Sequence, residues 1–118
     1  MDKINYELKL FGLPKISLNE WYAGKHWTAR KRIKDAYKLL IKGQTHALFP
    51  KNKTYDVEYT FIFKSNPLDA SNTVAMAKMI EDVLFEDDKY NIVLSVKYKS
   101  RKGKANIVIV EICENSKS

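Results

Sequence analysis

A run of strict alternation near the middle of the chain constrains the fold more than any other feature. Every second residue over 55–63 is aromatic or β-branched, with polar residues such as Asp56 and Glu58 between them. Period two is the spacing of side chains on one face of a strand, and these residue types favour that conformation. The run predicts a long strand, and the turn at residues 64–67 then leads directly to Asp69.

Shorter runs predict three more strands. Residues 4–11 and 91–99 alternate apolar and polar side chains, as half-buried strands do. Residues 107–112 are almost continuously apolar, which predicts a strand covered on both faces. A basic turn at residues 100–104 separates the last two strands.

Two helices are predicted from apolar spacing of i, i+3, i+4 and i+7. The first runs from its N-cap Thr28 to about Gly43 and buries Ile33, Ala36, Tyr37, Leu40 and Ile41. The second begins near Asp69 or Ser71 and buries Met76, Ala77, Ile80, Val83 and Leu84. Residues 16–27 fit neither period but hold both tryptophans, so we expect an ordered loop there.

The predicted order of elements is β-α-β-α-β-β. It gives an α+β fold in which two helices pack on a small mixed sheet. The 118 residues suffice for one domain, predicted over residues 1–113, followed by a polar, disordered tail at residues 114–118. The single cysteine, Cys113, excludes a disulfide or a cysteine-based zinc site within one chain.

The net charge indicates a polyanionic partner. Lysine and arginine number 21 against 14 aspartates and glutamates, a formal charge of +7. No apolar run approaches the ~20 residues that span a bilayer, and the N-terminus lacks the apolar core of a signal peptide. We therefore expect a cytoplasmic protein without a membrane partner.

The first predicted helix carries basic residues on its outer face. They are Arg30, Lys31, Arg32, Lys34, Lys38 and Lys42. Such a stripe can follow a phosphate backbone, but lysines on a solvated helix face give the same pattern. His26, in the preceding loop, is either a nucleic-acid contact or a structural histidine.

Acidic residues concentrate in one stretch of this basic chain. Six of the 14 carboxylates lie there: Asp69, Glu81, Asp82, Glu86, Asp87 and Asp88. Each would repel a nucleic-acid phosphate unless a divalent cation lay between them, and Mg²⁺ prefers carboxylate oxygens. Phosphodiester hydrolysis uses such an ion to activate water and to neutralise developing charge.

Spacing also supports a simpler interpretation. A helix of about fourteen residues would separate Asp69 from Asp88 by about 20 Å, so the two converge only if the following chain folds back. Glu81 and Asp82 fit a solvated helix surface, where Asp82 would pair with Lys78 at i,i+4. The sequence Glu-Asp-Asp before a lysine is also common in polar turns.

Two short motifs resemble the RusA-type Holliday-junction resolvases of bacteria and their phages. Residues 68–72, Leu-Asp-Ala-Ser-Asn, open a helix as the family's Asp-x-Asp-Asn motif does. Residues 83–88, Val-Leu-Phe-Glu-Asp-Asp, precede a strand as its later Asp-Asp pair does. Residues 18–27 and the basic residues 30–32 resemble phage members, so the resemblance covers most of the chain.

The resemblance implies an endonuclease that uses Mg²⁺, or Mn²⁺ in its place. It implies a homodimer that binds four-way or branched DNA and nicks two strands symmetrically. Asp69 matches the family's first metal-binding aspartate, and Asn72 matches the motif asparagine. Asp88 matches the later catalytic aspartate, with Asp87 beside it.

Two positions depart from the family pattern. The second aspartate of Asp-x-Asp is Ser71, and the family's lysine one turn into the helix falls on Ala75. Lys78 lies nearly one turn further on the same face and is the predicted substitute. Serine brings no charge to a Mg²⁺ site, so activity would require compensation by Glu86 or Asp82.

We therefore predict a phage or prophage endonuclease in which Asp69, Asp88 and Lys78 are catalytic. The predicted metal ligands are Asp69, Asp87 and Asp88, and the remaining motif residues are Ser71, Asn72 and Glu86. The predicted DNA-binding residues are Lys25, His26, Arg30, Lys31, Arg32, Lys34, Lys38, Arg101, Lys102 and Lys104. The alternatives are a RusA-like DNA-binding module with an impaired catalytic site, and an RNA-binding or phage regulatory protein.

Overall fold

Four strands and three α-helices make up the described part of the chain, residues 3–22 and 27–115 of this computed structural model. In chain order they are β1 (Ile4–Phe11), α1 (Leu18–Tyr22), α2 (Trp27–Lys42), β2 (Thr54–Phe63), α3 (Val74–Leu84), β3 (Val93–Lys102) and β4 (Ile107–Asn115). A short 3₁₀ helix, Ala70–Thr73, precedes α3.

The strands form one mixed sheet in the order β1-β4-β2-β3. Neighbours are antiparallel except β2 and β3, which are parallel because α3 carries the chain back between them. The α+β class with a mixed sheet is therefore confirmed.

The predicted central strand is confirmed as β2. Its inward side chains are all buried: Tyr55, Val57, Tyr59, Phe61 and Phe63. They belong to one apolar cluster with Tyr37 and Ile41 of α2 and with Ile80 and Leu84 of α3. Asp56, Glu58 and Thr60 point to the opposite, open face of the sheet, as the alternation predicts.

The starts of the helical regions differ from the sequence prediction. The expected loop contains α1, which begins with a capping box: the Glu20 N–H donates to Ser17 Oγ (3.0 Å) and the Ser17 N–H to Glu20 Oε1 (3.4 Å). The predicted second helix starts as 3₁₀ and becomes α-helical only at Val74. No helix in the described ranges is both long and apolar enough to cross a membrane.

The last strand is covered on one face only, so the prediction of two covered faces is wrong. Val108, Val110 and Ile112 are buried, whereas Glu111 is exposed on the open face of the sheet. The helices pack on the face that holds Val108, Val110 and Ile112. Ile107 and Ile109 lie half-buried on the opposite face, which explains why the run is continuously apolar. Strand β4 also includes two residues of the predicted tail, and residues 116–118 lie outside the described ranges.

Candidate functional site

The chain after α3 folds back along the helix and brings Asp88 to Lys78. Phe49 pairs with residues 84–86 through two backbone hydrogen bonds of 2.7 and 2.9 Å, which fix the start of the reversal. Lys78 Nζ then lies 2.5 Å from Asp88 Oδ2. Asp88 therefore contacts α3 through the side chain of Lys78, which lies in the first half of the helix.

Lys78 lies between two carboxylates. Its Nζ is 2.5 Å from Asp88 Oδ2 and 3.9 Å from Glu81 Oε2, and its side chain is 55% exposed. The hydrogen bond with Asp88 is the main cause that raises the pKa of Lys78, against the opposing effect of burial. The ammonium is therefore charged at neutral pH and open to a phosphate group from solvent.

Glu81 is buried beneath this pair, with only 5% of its surface exposed. Its Oε1 has no hydrogen-bond partner among the described residues. Burial is the main cause that raises the pKa of Glu81 to about 7, because it outweighs the lowering effect of Lys78, and Asp88 raises the pKa further. The carboxyl group therefore keeps its proton to a higher pH than an exposed glutamate does.

Two stacked tyrosines form the floor of the site. Tyr59 of β2 lies opposite Tyr98 of β3, with ring centroids 6.0 Å apart and ring planes 10° apart. Burial raises the pKa of both hydroxyls, and the charge of Glu81 raises them further. The fully buried Tyr59 hydroxyl makes no hydrogen bond of standard geometry, although it is near enough to Glu81 to be electrostatically coupled to it.

Asp82 extends the acidic group toward α2. Burial raises the pKa of Asp82, Lys78 and Lys34 lower it, and Asp88 raises it. Lys78 forms its ion pairs with Glu81 and Asp88, so the predicted i,i+4 pair with Asp82 is replaced by these two.

Asp69 follows Leu68, whose carbonyl is bound by the edge strand β3. The Ser100 hydroxyl of β3 donates a hydrogen bond to the carbonyl of Leu68. The charge of Lys78 lowers the pKa of Tyr98 on the same strand. Ser100 and Tyr98 are successive inward positions of β3, about 7 Å apart. The exposed Asp69 carboxylate makes no hydrogen bond or ion pair with the described residues, so it is available to a ligand.

The other motif residues have local roles. The Asn72 N–H donates to the Asp69 carbonyl (2.8 Å), and Ser71 is exposed in the 3₁₀ helix. Glu86 Oε1 accepts the Lys51 N–H at 2.9 Å. This hydrogen bond holds the turn before β2, and nothing in the structure supports compensation for Ser71 by Glu86.

Asp87 closes the turn that carries Asp88. Its Oδ1 accepts the Lys89 N–H at 3.1 Å, and its Oδ2 lies 3.7 Å from Lys89 Nζ. Side chains of this kind commonly stabilise turns by binding the backbone two residues on. The contacts of Asp87 are therefore with the turn, whereas those of Asp88 are with α3.

Two of the predicted basic residues of α2, Lys34 and Lys38, lie on the Asp82 side of the site, and Arg32 is exposed on the same helix. Lys34 and Lys38 line a hollow of about 340 Å³ between α2 and α3. Arg30 and Lys34 lie over the Trp21 ring, 5.7 and 5.9 Å from its centroid. Lys31 pairs with Asp35 at 2.9 Å, so part of its charge is already neutralised.

A second basic group lies at the Asp69 end of the sheet. Arg101 and Lys102 end β3 and Lys104 follows in the turn, all of them exposed. Nearby, Lys15 Nζ donates to the carbonyls of Ser65 and Asn66 in the turn that leads to Asp69 (3.4 and 3.1 Å). Cations therefore flank the acidic group at both ends. Lys25 and His26, also predicted to bind DNA, lie outside the described residues.

Glu81 is the site residue that the sequence prediction misassigned to a solvated surface. It occupies a position of the buried stripe of α3, four residues after Ala77 and three before Leu84. The sequence did contain a signal for this burial: Glu81 is a charged residue at an apolar position of the helical stripe, and residues at such positions face the core.

The acidic donors match the chemistry of Mg²⁺, but they are not gathered around one point. Among the described residues, no group of three histidine, cysteine or carboxylate side chains is arranged to hold a metal ion. The unpartnered Oε1 of Glu81 and the free carboxylate of Asp69 are oxygens of the type that Mg²⁺ binds. The magnesium site remains a prediction.

Comparison with protein-family models and with curated proteins finds no match for this chain.

Proposed function

We propose that this protein is a Mg²⁺-dependent endonuclease that cuts branched DNA, of the kind that resolves four-way junctions. The observation that supports this best is the fold-back that joins Asp88 to Lys78 at 2.5 Å, in a chain segment whose other motif aspartate, Asp69, is exposed and has no side-chain cap hydrogen bond. A carboxylate group inside a chain of charge +7, flanked by cations, suits a phosphodiester whose charge is balanced by a metal ion.

The exposure and the contacts of each side chain indicate its role in the proposed reaction. Asp69, Asp88 and Asp87 would hold the ion, with Asp87 limited by its turn contacts. Bound Mg²⁺ would supply an activated water and neutralise charge on the phosphate. Lys78 would bind a non-bridging phosphate oxygen, because its ammonium is charged and its side chain is about half exposed.

The DNA arms would lie on the two basic groups at the ends of the site. Paired nicks in a four-way junction need two sites related by a two-fold axis, so the active form would be a homodimer. A phage or prophage origin and a cytoplasmic location fit this function and are part of the proposal.

Cleavage of a synthetic junction tests the proposal. The purified protein is mixed with a labelled four-way junction in Mg²⁺, and Asp88→Asn and Asp69→Asn are compared with Glu111→Gln, which removes a carboxylate from the open sheet face. We expect the first two to lose at least about a hundredfold in rate, while Glu111→Gln cuts normally. No cleavage by the wild type, or equal cleavage by Asp88→Asn, would refute it.

A second candidate is a DNA-binding module that has lost catalysis. The exposed Ser71, which brings no charge where the family has an aspartate, favours it. It predicts junction binding in EDTA that weakens steeply with salt, without cleavage in Mg²⁺ or Mn²⁺. Tighter binding of single-stranded RNA than of junction DNA would instead indicate an RNA-binding protein.

A further inference from the structure

Lys78 has two carboxylate partners of different kinds. Asp88, whose side chain is 27% exposed, lies 2.5 Å from its ammonium and is accessible to a cation. Glu81, whose side chain is 6% exposed, lies 3.9 Å away and faces the protein interior. Asp88 can therefore exchange Lys78 for a cation from solvent, whereas the buried Glu81 cannot.

Burial of the Glu81 carboxylate lowers the stability of the folded protein. The neighbours of this side chain on the same stripe of α3, Ala77, Ile80 and Leu84, are completely buried. A carboxylate there loses hydration, and Oε1 regains no hydrogen bond among the described residues. An apolar residue would suit the packing better, so the ion pair of Glu81 with the exposed Lys78, at 3.9 Å, is the candidate for a role.

We infer that Glu81 is a positioning residue that keeps the Lys78 ammonium in the site when Asp88 is engaged by a cation. The inference rests on the proposed function. A lysine stem has four rotatable bonds, so an ammonium released by Asp88 would otherwise move into solvent. Glu81 lies one helical turn from Lys78 and offers the alternative partner.

A double-mutant cycle on the lysine itself tests the inference without DNA or activity. The Cε chemical shift of Lys78 is followed against pH by NMR in the wild type, Glu81→Gln, Asp88→Asn and the double variant. We expect Glu81→Gln to lower the Lys78 pKa by more in the Asp88→Asn background than in the wild type, because Glu81 takes over the ion pair when Asp88 is removed. An equal effect of Glu81→Gln on the Lys78 pKa in the two backgrounds would overturn the inference.

Kinetics then separates positioning from packing. Glu81→Gln keeps the shape of the side chain, so a packing role predicts unchanged cleavage. We expect kcat to fall on the order of tenfold with little change in KM, partial recovery in Glu81→Asp, and no change in Glu111→Gln. Unchanged kcat in Glu81→Gln would refute positioning. If the wild type cleaves nothing, the proposed function fails, and the NMR comparison still decides the role of Glu81.

Discussion

A carboxyl group whose pKa is raised by burial makes the folded protein more stable at low pH, where the group is protonated, than at high pH, where it is ionised. The pKa of Glu81 is raised from 4.5 to about 7, mainly by burial. Its contribution to stability is fully present below the unfolded pKa and is lost as pH rises through the folded pKa. The wild type should therefore lose stability between about pH 4.5 and pH 7 and show no further loss from this group well above that range.

Replacing Glu81 by glutamine should remove this dependence. We expect Glu81→Gln to be more stable than the wild type at pH 8, by on the order of 2–3 kcal/mol, and equal to it near pH 4. Urea unfolding followed by circular dichroism at several pH values measures the difference. Glu111→Gln, at an exposed position, is the control. A pH-independent difference between the wild type and Glu81→Gln would contradict the assignment.

At the scale of elements, periodicity predicted the four strands and the two longer helices, but not α1 or the order of the strands in the sheet. The alternation over residues 55–63 became β2, and residues 4–11 became β1 with the same bounds. Local patterns failed where the outcome depended on another element. The apolar run of β4 does not reveal that helices cover one face only, and Glu81 was assigned to solvent although its stripe position indicated burial.

The candidate site was predictable only in part, because its geometry also depends on contacts between distant elements. Motif resemblance selected Asp69 and Asp88, whereas Lys78 was predicted from helical spacing as a substitute for the family's lysine. The structure places Lys78 and Asp88 in contact. The contact depends on residues 84–86 pairing with Phe49, which lies more than thirty residues earlier in the chain. Such long-range pairing has no local signature in one sequence.

The turn between β3 and β4 requires glycine because of its neighbour on β2. A Cβ added at Gly103 would lie 2.3 Å from Ile62 Cγ2, a distance that forces one of them to move. We expect Gly103→Ala to cost about 1–3 kcal/mol of unfolding free energy. In an Ile62→Ala background the same change should cost much less, which urea unfolding of the four proteins would show. Equal costs in both backgrounds would exclude this contact as the reason.

At the scale of the molecule, the two faces of the sheet differ in how charge is arranged. On the open face, Glu58 lies 3.9 Å from Lys97 and 3.2 Å from Lys99. On the helical side, Lys34 and Lys38 border the acidic site and have no ion pair among the described residues. We therefore expect Lys34 and Lys38 to attract a polyanion more strongly than Lys97 and Lys99 do, since the lysines on the open face are already partly neutralised.

Two variants with the same change in net charge test which face binds DNA. We expect Lys34→Gln/Lys38→Gln to weaken junction binding and to reduce the slope of log K against log salt by about 0.9 for each DNA phosphate that the protein no longer neutralises. Lys97→Gln/Lys99→Gln removes as much charge from the open face and should leave that slope nearly unchanged. Binding is measured by fluorescence anisotropy in EDTA, so the result depends neither on Mg²⁺ nor on cleavage.

An equal decrease of affinity in both variants would mean that net charge alone attracts DNA. A larger decrease in Lys97→Gln/Lys99→Gln would place the DNA on the open face, away from Lys78 and Asp88, and would separate binding from the candidate site.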